Sequence, residues 1–211
     1  MTREIKTALR GALARTEPVL VYLAGPNGAG KSTFFRDYLQ ALHLPFINAD
    51  EIARRLHEAD LSNQMESLDR VAFEMAERLR LSLLSERLSF CTETVFSDPQ
   101  GAKLEFLKQA CSLGYSVFLI FIGLSDSELS IARVMQRVAA GGHDVPDEKL
   151  RGRFSRTLAN LRNAISIVNE AYLFDNSSDR NPFRLVAVYS EGKVVHQGDP
   201  LPAWAYGLPG L

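Results

Sequence analysis

Residues Gly25-Pro26-Asn27-Gly28-Ala29-Gly30-Lys31-Ser32 satisfy G-x-x-x-x-G-K-[ST] in full, between an apolar run of strand length, Val19 to Leu23, and a helix-forming stretch from Lys31. Glycines at 25, 28 and 30 let the backbone curl so that its N–H groups converge on a phosphate, and the helix that follows adds the positive end of its dipole. Lys31 is placed to reach the β and γ phosphates, and the hydroxyl of Ser32, followed by Thr33, to coordinate Mg²⁺. The expected ligand is therefore Mg²⁺ with ATP or GTP. This loop also constrains the fold, because it must connect a buried strand to a helix at one edge of a sheet.

Strand-length apolar runs alternate with helical periods along the chain, which predicts an α/β P-loop NTPase fold with a mainly parallel sheet and helices on both faces. The strands are expected at Val19 to Leu23, Phe46 to Asn48, Phe90 to Val95, Ser116 to Ile122 and Phe183 to Tyr189. A hairpin partner, Lys193 to Gln197, follows across Glu191-Gly192. Helices are expected over Lys31 to Ala41, Ser62 to Arg87, Gln100 to Leu113, Asp126 to Ala139, and Asp147 to about Ala171. Ser125 and Glu128 have the spacing of a capping box. A chain of 211 residues fits one such domain, 1–211. Its last segment, about 198–211, is too rich in proline and glycine for a regular element and is read as an anchored tail.

With 24 Lys+Arg against 25 Asp+Glu and a net charge of −1, the balance argues against nucleic acid as a partner and against a membrane surface. No run approaches a membrane span, and no secretory leader is visible at the start, so a cytoplasmic protein is expected. Cys91 and Cys111 lie in apolar stretches without metal-ligand spacing, and read as buried thiols rather than a disulfide or zinc site.

Ligands of a parallel sheet gather at the carboxyl ends of its strands. The second strand ends in Asn48-Ala49-Asp50-Glu51, and Asp50 can serve there as the base that takes a proton from an acceptor hydroxyl, or as the N-cap of the next helix. The third ends in Cys91-Thr92-Glu93-Thr94, where Glu93 and Thr94 are candidates to line the acceptor or metal site. The fourth yields no acidic residue, so Glu93 or Asp50 must supply any carboxylate that arranges the metal. Positive charge for the γ-phosphate is available from Arg133 and Arg137, then Arg151, Arg153 and Arg156, on helices flanking Gly141-Gly142-His143-Asp144-Val145-Pro146. Together these form an arginine-rich lid over about 126–160, with His143 as a lid contact.

Four segments, Gly25 to Thr33, Ile47 to Glu51, Glu93-Thr94-Val95-Phe96-Ser97 and Arg133 through Asn160, followed by Asp175-Asn176-Ser177, give the chain a pattern that resembles the zeta toxin family of P-loop kinases. The resemblance implies ATP- and Mg²⁺-dependent phosphorylation of a sugar hydroxyl in a UDP-amino sugar, UDP-N-acetylglucosamine above all. It implies Lys31 and Ser32 on phosphate and metal, Asp50 as base, and Glu93 and Thr94 on the acceptor. Arg137 and Arg153 are the first choices for the γ-phosphate, and an antitoxin protein is a possible partner. The Gly-Gly-His loop departs from the family's spacing of lid arginines. Two other classes remain open on the residues alone: a nucleotide-hydrolysing switch acting through a protein partner, and a kinase for nucleotides or polynucleotide ends.

Overall fold

A computed structural model of the protein describes residues 2–59, 65–139 and 145–211. One seven-stranded sheet organises them in the order β2-β3-β1-β4-β5-β6-β7, where β1 is Val19–Ala24, β2 Phe46–Ile47, β3 Phe90–Thr94, β4 Ser116–Gly123, β5 Glu170–Asp175, β6 Arg184–Ser190 and β7 Lys193–Gln197. The first five are parallel, and β6 and β7 add an antiparallel edge. β1 lies at the centre between β3 and β4, and every one of its residues is buried, as an almost wholly apolar strand covered on both faces should be.

The strand period of two divides the core. Leu20, Tyr22, Phe90, Leu119 and Phe121 face one cluster, closed by Ala76 and Leu84 of α4 (Met65–Ser85), Leu107 and Ala110 of α5 (Ala102–Ser112), and Leu161 and Ala164 of α7 (Asp147–Ala164). Val19, Val21, Leu23, Cys91 and Ile120 face the other, closed by α1 (Thr2–Leu13) and by Phe34 and Leu39 of the helical segment after the Gly-rich loop. That segment starts as α2 (Lys31–Phe34) and continues through a π-helical turn, Phe35–Leu39, and a 3₁₀ turn, Gln40–Leu42, so it is not the uniform helix expected. α3 (Ala49–Ala59) and α6 (Ser127–Ala139) complete the set.

Several expectations need correction. The helix from Asp147 ends at Ala164 rather than near Ala171, and the apolar, aromatic Glu170–Asp175 pairs with β4 as a full strand. α1 was not expected, although Ile5, Leu9 and Ala12 at helical spacing are its buried stripe. Ser125 is not the N-cap of α6. Asp126 Oδ1 accepts from Leu129 N at 2.8 Å instead, Ser125 donates to Asp126, and Glu128 pairs with Arg151. The start of the expected Ser62 helix and the Gly141 to Asp144 part of the lid loop, His143 included, lie outside the described residues.

The tail is anchored. Trp204 lies in a short 3₁₀ turn, Ala203–Ala205, packs 5.6 Å from Phe121 and donates to Asp175 Oδ1 at 3.0 Å, while Arg162 and Arg184 donate to the carbonyls of Gly207 and Pro200. Cys91 is buried and Cys111 half-buried, both as free thiols whose pKa values burial raises. No helix among the described residues is long and apolar enough to cross a membrane.

Candidate active site

The Gly-rich loop leaves the carboxyl end of β1 in a tight curl. At Gly25, with φ +148°, a Cβ would stand 2.2 Å from the carbonyl oxygen of Ile122 in β4; at Gly30, with φ +86°, it would stand 2.7 Å from Asn176 Nδ2. Only glycine fits either position. The loop is clamped from outside: Asn176 Nδ2 donates to Ala29 O at 2.9 Å, and Ser130 of α6 donates to Asn27 O at 2.7 Å.

Lys31 is buried, donates to Pro26 O at 2.9 Å, and lies 4.0 Å from Glu93 Oε1. Burial pulls its pKa down, Arg137 adds to that, and Glu93 and Asp50 oppose it. A charge so enclosed fits an anionic ligand arriving at the loop. The Glu93 carboxylate accepts from Ser32 Oγ at 3.1 and 3.3 Å and from Asn48 Nδ2 at 2.9 Å. Burial raises its pKa against the opposing pull of Lys31. A hydroxyl and a carboxylate brought edge to edge are the oxygen donors a hard divalent cation takes. Among the described residues no group of three or more His, Cys, Asp or Glu side chains could hold a metal, so a cation here would complete its shell with phosphate and water.

Asn48 settles the competing reading of Asp50. Its Oδ1 accepts from Asp50 N at 2.8 Å and Glu51 N at 3.3 Å, and its carbonyl accepts from Ile52 N, so Asn48 is the N-cap of α3. Asp50 sits in the first turn of that helix with its carboxylate released from capping.

A cavity of about 480 Å³ collects these groups. Asn27, Gly28, Gly30, Lys31, Ser32 and Thr33 of the loop line it, with Asn48 and Asp50, Glu93 and Thr94, and Arg133, Arg137 and Arg153. Gly25, Pro26 and Ala29 form the loop's underside and do not line the cavity. The lid arginines divide by partner. Arg151 makes a two-pronged pair with Glu128, at 2.9 and 3.1 Å, joining α7 to α6. Arg156 donates to Ser97 O, and beside it Thr157 and Asn160 donate to Val95 O and Phe96 O, seating α7 on the segment after β3. Arg133 bonds Asn176 O and Asp179 while still facing the cavity.

Three cavity residues escaped sequence reasoning: Phe73, Arg80 and Lys103. Arg80 is buried, donates from Nε to Thr92 Oγ1 at 2.7 Å, and pairs with Glu77. Lys103 donates to Thr94 Oγ1, and burial, seconded by Arg80, brings its pKa down to about 8. Lysines and arginines of amphipathic helices read as solvated, and nothing in the local sequence marks these two; only the packing of α4 and α5 on β3 does. In all, six basic side chains and two carboxylates line the cavity of a chain whose net charge is −1.

Comparisons with known proteins bear on the family and the fold. A Haemophilus influenzae protein described as uncharacterized is 27% identical over 138 residues, covering 64% of this chain and 91% of its own. The fold is shared with a chain of the AvrRxo1-ORF1:AvrRxo1-ORF2 complex with sulphate ions, at a TM-score of 0.69 and 17% identity over 84% of this chain, which spans 60% of that one. It is shared too with the PezAT chromosomal toxin–antitoxin system of Streptococcus pneumoniae, at 0.60 and 20% identity over 88% of this chain and 77% of the other. Shikimate kinase from Acinetobacter baumannii follows at 0.51 and 23%, with 80% and 88% covered. The model of the zeta toxin family matches residues 2–180, the region that holds the Gly-rich loop, Asp50, Glu93 and the arginine helices, and the chain belongs to the zeta toxin family of P-loop kinases.

Proposed function

We propose that this chain transfers the γ-phosphoryl group of ATP to a hydroxyl of a UDP-amino sugar, UDP-N-acetylglucosamine being the first candidate. The observation that carries the reading is the convergence of Asp50, Lys31, Arg137 and Arg153 on one cavity, with Asp50 freed of a capping role by Asn48. Phosphoryl transfer asks for positioning and for positive charge around the migrating group, together with a carboxylate to take the hydroxyl proton. Lys31 and the loop N–H groups hold the β and γ phosphates, Arg137 and Arg153 stabilise charge that spreads over the equatorial oxygens, and Asp50 orients and deprotonates the acceptor. Glu93 and Ser32 are the residues that would hold Mg²⁺, which when bound would offset phosphate charge. GTP meets the same loop contacts, since none of them reads the base.

The choice of acceptor rests on the family and on the cationic cavity. Of the two fold neighbours, PezAT is by name a toxin–antitoxin system and AvrRxo1-ORF1:AvrRxo1-ORF2 a complex, and a neutralising protein partner belongs to the same reading. The test is ³¹P NMR and mass spectrometry of the protein with Mg²⁺-ATP and a panel of UDP-sugars, nucleosides and short oligonucleotides. A new phosphomonoester on UDP-N-acetylglucosamine is expected. ADP release with every acceptor unmodified would overturn the UDP-sugar and favour a hydrolysing switch.

A further inference from the structure

The sheet divides the cavity's positive charge into two groups. Along β3, Glu93 points to the side of α2, where it meets Ser32 and Lys31, whereas Thr92 and Thr94 point to the side of α4 and α5, where they meet Arg80 and Lys103. The first group belongs to the nucleotide. The second stands across the strand from it, with no part in the nucleotide loop or the lid.

Within that second group the two cations differ. Arg80 is committed to Glu77 and Thr92, so its guanidinium is a fixed part of the wall. Lys103 has no carboxylate oxygen within 4.0 Å among the described ion pairs, and its only described side-chain hydrogen bond is to the hydroxyl of Thr94. Its surroundings are otherwise the Asp98 carboxyl, the Arg80–Glu77 pair of α4 and, across β3, Lys31. An ammonium has three protons to donate, and with one given to Thr94 and no carboxylate oxygen in ion-pair contact, Lys103 has donors left for an anionic ligand that enters the cavity. Phe73, on the same helix as Arg80, presents a half-exposed ring to the same cavity. A ring beside a cation suits a ligand that joins a planar base to a phosphate.

Resting on the kinase reading above, we infer that Lys103, backed by Arg80, is the anion-binding residue of the acceptor subsite, taking the diphosphate of a nucleoside-diphosphate acceptor whose base lies against Phe73. Thr94 then acts by holding Lys103 in place. Selectivity for an anionic acceptor follows from α4 and α5 rather than from the Gly-rich loop.

The test measures binding, which does not depend on transfer. Full-length protein is saturated with Mg²⁺ and the non-hydrolysable AMPPNP so that the loop is filled, and UDP is titrated calorimetrically. Lys103→Met and Lys103→Gln are expected to weaken UDP at least about tenfold, Lys103→Arg to keep most of the affinity, and AMPPNP affinity to stay level in all three. Uridine, which has the base but no phosphate, should not distinguish Lys103→Met from wild type. UDP binding equally well to Lys103→Met and Lys103→Gln, or failing to bind wild type, would overturn the assignment. Absence of transfer to UDP-N-acetylglucosamine alongside Lys103-dependent UDP binding would instead count against the acceptor named above and leave this subsite standing.

Discussion

Asn48 holds two parts of the site at once, and its replacement separates them. Its Oδ1 caps α3 through Asp50 N and Glu51 N, and its Nδ2 donates to the Glu93 carboxylate at 2.9 Å. An N-cap replaced by alanine costs about 1 kcal/mol, and a lost hydrogen bond to a charged group about 1.5–3 kcal/mol, so Asn48→Ala should lose roughly 2.5–4 kcal/mol. For a chain of this length that is a fall in Tm of roughly 5–15 °C. Asn48→Ser retains a capping oxygen but has no amide to reach Glu93, and should lose only the second part, about 1.5–3 kcal/mol. Thermal unfolding by circular dichroism, with both variants and wild type in one buffer, reads the difference. If Asn48→Ser melted with wild type, the bond to Glu93 would be shown to contribute nothing. If it melted with Asn48→Ala, the cap would be.

Three further outcomes follow from the geometry. Asp50→Ala should bind ATP as wild type does and lose transfer by a factor of about 10² or more, measured by acceptor phosphorylation beside nucleotide titration; normal transfer would remove Asp50 from the base role. Lys103 carries a pKa of about 8 in the folded chain against 10.5 for a free lysine. Between those two values the unfolded chain binds more protons than the folded one, so this residue makes stability rise with pH across that window, and Lys103→Met should flatten the rise in urea unfolding series. Gly123→Ala would bring a Cβ within 2.4 Å of the Trp204 indole, so it should destabilise wild type but much less a Trp204→Ala background, a coupling that a double-mutant cycle reads directly.

What was legible in the sequence was whatever depends on neighbours along the chain. The Gly-rich loop, its strand and its helix need only local spacing, and Asp50, Glu93 and Thr94 could be placed because residues leaving parallel strands reach the ligand edge. The hidden strand Glu170–Asp175 failed by competition. The helical period from Leu150 through Ile165 ran on past Ser166, and a six-residue run with Tyr172 and Phe174 carries no period long enough to contest it. α1 was different, since Ile5, Leu9 and Ala12 already showed the stripe. The capping box at Ser125 failed because two oxygen-bearing residues stand side by side, and it is Asp126 whose carboxylate reaches the N–H three residues on.

Arg80, Lys103 and the bond of Asn48 to Glu93 were invisible for a more general reason: each joins a residue to a strand to which it is not adjacent in sequence. Asn48 reaches Glu93, 45 residues away, and Arg80 reaches Thr92 over a helix end and a turn. The same strand, β3, receives all three. Its alternation sends Glu93 to the phosphate loop and Thr92 and Thr94 to the opposite helices, so a single strand register fixes the spacing between the Glu93 carboxylate and the second cationic wall. On the reading proposed above, changes on α4 and α5 would alter what is phosphorylated while the loop, the Asn48 cap and the arginines of α6 and α7 hold the donor.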